Sequence, residues 1–124
     1  MKLSVVSSVF GKMSLDESLK FLSSHGVPCL ELGVGGYPGT ALADAKVLVK
    51  DAKKRKELTD TFKKYNMSIS ALAVHGNCVH PNKEVRDCFE ADYRAACELA
   101  GMLGVDTIVT FSGCPGSDKN ATQP

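Results

Sequence analysis

Apolar residues recur along this chain with a period that alternates between about two and about 3.6 residues. Stretches with the shorter period are rich in Val, Ile and Leu and predict β-strands, whereas stretches with the longer period predict amphipathic helices. The predicted strands cover residues 3–10, 29–34, 68–75 and 106–111, and the predicted helices cover residues 14–26, 51–65 and 82–104. The order is βαβαβαβ, which is typical of an α/β protein with a parallel sheet.

The predicted helices carry clear end signals. Ser14 can cap the first helix while Glu17, three residues later, reaches back to complete a capping box. Gly26 and Gly104 are placed to end the first and third helices, and Asn66 to end the second. These signals support the boundaries that the periodicity predicts.

Two architectures fit four parallel strands joined by right-handed crossovers: an open doubly wound sheet and half of an eight-stranded barrel. The chain stops shortly after a strand, where another helix is expected, and four strands alone would leave two sheet edges unpaired. We therefore expect residues 1–116 to be the N-terminal half of a (β/α)8 TIM barrel, followed by a polar tail at residues 117–124. On this interpretation the chain is either a fragment or a unit completed by a partner.

Composition narrows the class of protein only a little. The chain has 124 residues, enough for one domain, and a net charge of +1, which does not favour general polyanion binding. No apolar run approaches the ~18 residues of a membrane span. The five cysteines are odd in number and form no CxxC pair, which predicts free thiols in a reducing cytoplasm. We expect a cytoplasmic protein without a membrane partner.

Polar residues collect where the predicted strands end. In a barrel, alternate strand residues face the lumen. Leu72 and Val74 are expected to pack under the helices, which turns His75 inward at the carboxyl end of the third strand together with the residues that alternate with it, Ile69, Ala71 and Ala73. The carboxyl ends of the strands are where TIM barrels place their active sites.

Glu31 and Ser112 are the other candidate site residues. Glu31 is predicted to point into the lumen, where a carboxylate is costly unless it is paired or used. Ser112 follows the fourth strand directly. The alternatives are that His75 is a strand-end imidazole bonded to a neighbour and that Glu31 is a structural partner of a buried cation.

Other residues near these positions have simpler interpretations. His80 precedes Pro81 and is more typical of a loop or helix start than of a site, and Asn77 is expected to shape a turn. Cys114 is interpreted as an inert small residue. The stretch "GVGGYPG" lacks the third glycine of a dinucleotide fingerprint and no helix opens there, so we expect a rim loop over the barrel mouth.

Three stretches together carry a family resemblance. "ELGVGGYPG" (31–39), "ISALAVHGNCVHP" (69–81) and "TIVTFSGCPG" (107–116), in this order, resemble the sugar phosphate isomerase/epimerase proteins. These are xylose isomerase-like TIM barrels, in a superfamily shared with the endonuclease IV type of apurinic endonuclease. The resemblance covers residues 2 to about 116, and a whole barrel of about 250 residues is roughly twice as long.

The resemblance implies a divalent metal, Mn, Mg, Co or Zn, and a sugar or sugar phosphate as substrate. Its main ligands, Glu, Asp and His from later strands, would lie beyond Pro124, as would the glutamates that transfer the proton. The endonuclease branch has a metal-binding His at the end of its third strand, which His75 matches in position. That branch has another His after the fourth strand, where this chain reads "FSGCPG".

The leading expectation is therefore a metal-dependent sugar or sugar-phosphate isomerase or epimerase in which Glu31, His75 and Ser112 line the substrate pocket. One alternative is a zinc-dependent phosphodiesterase of the apurinic endonuclease type, although the missing His and the near-neutral charge argue against nucleic acid as a partner. Another is a non-catalytic half-barrel completed by dimerisation. The partner would be a complementary C-terminal half or a second copy, and the 124-residue chain alone is expected to be inactive.

Overall fold

Strands and helices alternate through the computed structural model, which describes residues 2–116. The strands are β1 (Ser4–Val6), β2 (Cys29–Gly33), β3 (Ser68–Ala73) and β4 (Ile108–Val109). The helices are α1 (Leu15–Ser24), α2 (Ala45–Leu48), α3 (Ala52–Lys64) and α4 (Lys83–Leu103). A 3₁₀ helix, Ser7–Phe10, follows β1. The expected polar tail at residues 117–124 lies outside the described residues.

The four strands form one sheet in the order β1-β2-β3-β4, and every neighbouring pair is parallel. This confirms the predicted α/β fold with a parallel βαβαβαβ chain path. Sequence neighbours are also sheet neighbours throughout, so the order does not reverse between β1 and β4. A reversal of strand order is the mark of a doubly wound sheet.

The core lies between one face of the sheet and the helices. Leu30, Leu32 and Leu72 are fully buried in it and meet the apolar stripes of the helices. The helix residues of this cluster include Leu19, Leu22, Ala45, Leu48, Leu58, Phe62, Ala96, Leu99 and Ala100. The opposite face of the sheet, which we call the open face, carries side chains outside this cluster: Ser4, Val6, Cys29, Glu31, Gly33, Ser68, Ser70, Ala71, Ala73 and Val109.

The predicted helix ends are present in the structure. The backbone N–H of Glu17 donates to Ser14 Oγ at 3.3 Å, and the Ser14 N–H donates to Glu17 Oε2 at 2.7 Å, which completes the capping box. Asp51 and Asn82 cap α3 and α4 through a side-chain oxygen that accepts backbone N–H groups of the first helical turn, without a reciprocal bond. Gly104 ends α4 in the left-handed conformation at φ 67°.

The first predicted strand, residues 3–10, is wrong beyond Val6. Residues 7–10 form the 3₁₀ helix instead, because the hydroxyl of Ser7 accepts the backbone N–H of Gly33 at 2.8 Å. A side-chain oxygen thereby takes a donor that the backbone of a continuing strand would otherwise bind. The fourth strand is also shorter than predicted and covers Ile108–Val109, although the Val74 N–H donates to the Val109 carbonyl and extends the pairing.

Two further features differ from the prediction. The short helix α2 lies between the second predicted strand and the second predicted helix, where no helix was predicted; four residues are too few for a helical period to be visible. Ile69, predicted to face the lumen, packs against the core on the helix side. The reason is a register shift in the pairing between β2 and β3, at Leu30 and Glu31, which interrupts the alternation. Leu72 and Val74 pack under the helices as predicted.

Replacing Leu72 by Ala is expected to lower the free energy of unfolding by about 2–5 kcal/mol, because Leu72 is 0% exposed at the centre of the core. Leu3 is 64% exposed at the start of the chain, so Leu3→Ala is expected to stay within about 0.5 kcal/mol of the parent. Urea unfolding of both variants, followed by circular dichroism, measures the difference. Equal destabilisation would contradict the assignment of the core to this face.

Candidate functional site

His75 stands just beyond the carboxyl end of β3. Its ring stacks on the ring of Phe111, with centroids 4.4 Å apart and planes 12° from parallel. Its Nδ1 atom is buried and has no hydrogen-bond partner among the described residues. A buried polar atom without a partner costs about 1–3 kcal/mol, so an atom of this kind at the end of a parallel strand is a candidate ligand contact.

The glycine-rich loop after β2 lies directly against the backbone of His75. The Tyr37 N–H donates to the His75 carbonyl at 2.8 Å. Gly36 has φ 61°, and a Cβ atom built there would lie 2.0 Å from the same carbonyl oxygen. Only glycine fits this approach, and it holds the loop over the carboxyl ends of β2 and β3.

Asp92, on α4, fixes the loop from the helix side. Its Oδ2 accepts the backbone N–H of Gly36 at 3.0 Å, and its Oδ1 lies 2.5 Å from Nζ of Lys46 on α2. The hydrogen bond to Asp92 raises the pKa of Lys46 above its ordinary value. Because the Asp92 side chain is only 16% exposed, this contact connects two helices and the loop through a shielded carboxylate.

Asn77 holds the segment after β4. Its Nδ2 donates to the Cys114 carbonyl at 2.9 Å, and its Oδ1 accepts the Cys114 N–H at 3.1 Å. The same Oδ1 accepts the Val79 N–H at 3.3 Å, which shapes the turn as expected. Exposed Ser112 lies on this segment, so the contacts of Asn77 with Cys114 hold the backbone close to Ser112.

Glu31 lies on the open face of the sheet, but not at the level of His75. The register pairs Glu31 with Ala71, four residues before His75, which corresponds to about 13 Å along the strand direction. Within residues 2–116, the side chain of Glu31 makes no hydrogen bond or ion pair, while its backbone pairs with β1 and β3. Of the three candidate residues, the structure therefore brings His75 and Ser112 to the same edge and leaves Glu31 deeper on the open face.

The other two histidines have structural surroundings. His80 is 3% exposed, and its Nδ1 accepts the Asn82 N–H at 3.0 Å at the start of α4, which agrees with the helix-start interpretation. The Nδ1 of His25 lies 2.8 Å from the Phe21 carbonyl at the end of α1. His75 differs from both in its unpartnered Nδ1.

The cysteines give no sign of covalent chemistry. All five are free thiols. Burial raises the pKa of the Cys78 thiol, and the nearby carboxylates of Glu90 and Asp92 raise it further, so this thiol is a poor nucleophile at neutral pH.

A complete metal centre is not formed by the described part of the chain. Residues 2–116 contain no group of three or more His, Cys, Asp or Glu side chains that could hold an ion. The unpartnered Nδ1 of His75 is the donor that fits one position of such a site, and imidazole is a common ligand of Zn. The remaining ligands would have to come from outside these residues.

Two aromatic residues and one carboxylate at this edge are absent from the sequence-based candidates. Tyr37, Phe111 and Asp92 each contact the loop or His75. Tyr37 has a signal that could have identified it, since it is an aromatic residue in a loop that follows a strand, and loops of this kind carry many binding residues. Asp92 has none, because nothing in its helix separates it from the other exposed carboxylates.

No helix within residues 2–116 is both long and apolar enough to cross a bilayer.

Among protein families, no family model matches the chain. The chain is similar to an uncharacterised protein of Bacillus subtilis (strain 168), YfiH, with 32% identity over 127 aligned positions. The alignment covers 100% of this chain and 39% of YfiH, so the chain spans about two fifths of the length of this relative.

Gly36→Ala is expected to destabilise the protein more strongly than Gly39→Ala. Both glycines have positive φ, where a Cβ costs about 1–2 kcal/mol. Only at Gly36 would the Cβ also collide with the His75 carbonyl, whereas nothing lies within 4 Å at Gly39. Thermal unfolding should show an additional loss of about 2 kcal/mol for Gly36→Ala. Equal losses would show that the loop does not rest on His75.

Asp92→Ala is expected to lower the free energy of unfolding by about 1.5–3 kcal/mol, because it removes a charged acceptor from a backbone N–H together with an ion pair. Asp60, which pairs with Lys56 on one helix at 2.5 Å and is half exposed, provides the matched control. Asp60→Ala should cost clearly less than Asp92→Ala, because an exposed ion pair is screened by water. Chemical denaturation of both variants at neutral pH measures this, and a larger loss for Asp60→Ala would contradict it.

Proposed function

We propose that this chain is the N-terminal half of a xylose isomerase-like barrel and that the complete protein is a metal-dependent sugar or sugar-phosphate isomerase or epimerase. The observation that carries the proposal is the buried, unpartnered Nδ1 of His75 at the carboxyl edge of a parallel sheet. This edge is where TIM barrels bind substrate.

The sheet supports the half-barrel part of the proposal. Consecutive strand order is the order of a barrel, in which each strand pairs with the next along the chain. The core covers one face, and the open face carries the small and polar side chains that a barrel lumen accommodates. The edges at β1 and β4 are free among the described strands. The similar protein YfiH is more than twice as long as the aligned region, which leaves room in that protein for a second half of a barrel.

This proposal gives each candidate residue a role in binding the metal, the substrate or the second half. A divalent metal, when bound, polarises carbonyl and hydroxyl oxygens of the substrate. Nδ1 of His75 would hold that metal or a substrate hydroxyl, and the Ser112 hydroxyl would donate to a second substrate oxygen. Glu31, deeper on the open face, would pair with a cationic group of the second half, since its carboxylate has no partner among residues 2–116.

In the protein made from its full reading frame, His75→Ala is expected to lower kcat/KM for sugar isomerisation about 10–100-fold. His25→Ala is the control, because His25 is bonded within α1 and should leave turnover unchanged. Turnover of D-xylose, D-fructose and D-fructose 6-phosphate, measured before and after metal removal and after addition of Mn²⁺, Mg²⁺, Co²⁺ or Zn²⁺, tests the proposal. Circular dichroism checks that both variants remain folded.

Two results would overturn this proposal. Cleavage of abasic DNA that depends on zinc, in the absence of sugar turnover, would favour the endonuclease alternative. Absence of both activities with every metal would favour the non-catalytic half-barrel. Unchanged turnover in His75→Ala would remove His75 from the site while leaving the reaction in place.

A further inference from the structure

Positive charge is concentrated in one short segment of the chain. Residues 46–56 contain six Lys or Arg and one Asp, a net charge of +5, whereas the whole chain has a net charge of +1. The rest of the chain therefore carries a net charge of −4. A segment of this kind creates a local field that attracts anionic groups, although the protein as a whole is almost neutral.

Three of these six cations are already bound within the protein. Lys46 and Lys56 pair with carboxylates, and Arg55 donates to backbone carbonyls at the end of α2. The other three are exposed, and their side chains form no ion pair with residues 2–116. We call these three residues the lysine corner: Lys50, Lys53 and Lys54.

The lysine corner does not stabilise the helix on which it lies. Lys53 and Lys54 stand in the first turn of α3, where the positive end of the helix dipole disfavours cations. That turn contains no acidic residue. Their charge therefore costs helix stability and is available for a contact outside the protein.

An apolar recess of about 350 Å³ opens beside Lys54, between α1, α2, α3 and the loop before α2. Val47 lines it and is 37% exposed, which leaves a large apolar side chain open to solvent. The volume is within the 300–1,000 Å³ range of ligand sites. The other large apolar residues of the lining are Leu15, Leu42, Leu48 and Leu58.

Two carboxylates also line the recess, and both have neighbours within the protein. Asp44 caps α2, since its Oδ1 accepts the Val47 N–H at 3.3 Å. Glu57 stands four residues after Lys53 on α3, a spacing at which opposite charges attract. With both carboxylates counted, residues 44–57 keep a net charge of +3.

The recess lies away from the sheet edges that a second half would cover. The helices α2 and α3 connect β2 to β3, which are the inner strands, whereas the free edges are at β1 and β4. Completion of a barrel would therefore leave the recess and the lysine corner open, so an occupant would come from another molecule.

We propose that the recess and the lysine corner together bind an acidic peptide segment of a partner protein. One large apolar side chain of the peptide enters the recess, and neighbouring Asp or Glu carboxylates pair with the lysine corner. A nucleic-acid backbone offers no apolar side chain for the recess, and a planar lipid surface would meet the lysines but not the concave recess. The corner also lacks a free guanidinium, the group that binds phosphate through two parallel hydrogen bonds.

The first experiment selects peptides from a random display library on the immobilised protein made from its full reading frame. Peptides that bind the parent but not the double variant Lys53→Glu, Lys54→Glu are expected to carry clustered Asp or Glu beside a Leu, Ile, Val, Phe or Met. The variant should remain folded, because acidic residues in a first helical turn interact favourably with the helix dipole. Selection of no peptide that distinguishes the two proteins, or of peptides without acidic residues, would overturn the proposal.

A selected peptide, synthesised with a fluorescent label, then gives a dissociation constant by anisotropy. The variant Lys53→Glu, Lys54→Glu is expected to weaken binding by about 10-fold or more, because two attractive charge pairs become repulsive. Val47→Gln, which keeps the charge but makes the recess polar, is expected to weaken binding about 5–10-fold.

The matched control is the double variant Lys12→Glu, Lys83→Glu, which makes the same change in net charge at exposed lysines outside the segment. It should keep the affinity within about 2-fold, since exposed charges farther away than a Debye length are screened. Equal weakening by both double variants would show that overall charge governs binding and would contradict a local site.

A DNA duplex and vesicles that contain phosphatidylserine are the competing probes. If either binds the parent more tightly than the selected peptides do, and Val47→Gln leaves that binding unchanged, the lysines bind phosphate groups and the peptide proposal fails. None of these measurements uses sugar turnover. The isomerase proposal and the peptide site can therefore fail independently of each other.

Discussion

The handedness of the crossovers between parallel strands determines which face of the sheet the helices cover. Each helical connection links two neighbouring parallel strands, and a right-handed crossover returns the chain to the same side of the sheet every time. One face therefore buries Leu30 and Leu32 of β2 and Leu72 of β3 in the core that they form with the helices. The other face is left to small and polar residues, and the carboxyl edge is left to loops. The candidate site follows from this division rather than from any single motif.

The loops at that edge are held by backbone contacts, which gives the site its shape. The Gly36 backbone rests on the His75 carbonyl, Asp92 holds Gly36 from behind, and Asn77 fixes the segment that carries Ser112. Because the rings of Tyr37 and Phe111 belong to these two segments, their spacing is set by the same contacts. The contacts of Gly36 with Asp92 and of Asn77 with Cys114 therefore fix the positions of both loops relative to the helices and the sheet.

The features that the sequence predicted correctly depend on interactions between residues that are close together in the chain. The βαβαβαβ order, the capping box at Ser14 and the burial of Leu72 depend on residues within a few positions of one another. The early end of β1 and the packing of Ile69 on the helix side could not be predicted in this way. The first depends on Ser7 accepting a hydrogen bond from Gly33, 26 residues away, and the second on a register shift between two strands. Asp92 and Gly36 are 56 residues apart, so their contact is invisible to periodicity.

The candidate residues lie at two different levels of the sheet, which the sequence alone does not show. His75 lies at the edge where strand alternation predicted it, but Glu31 lies about 13 Å deeper, so the two do not act on one atom. A metal in an enzyme commonly needs three or more protein ligands, and residues 2–116 form no such group. On the proposed function, this half therefore contributes substrate contacts through the Ser112 hydroxyl and the His75 imidazole. Proton transfer and most of the metal coordination then fall to the second half, which explains how a well-packed sheet can carry a binding edge without a complete reaction centre.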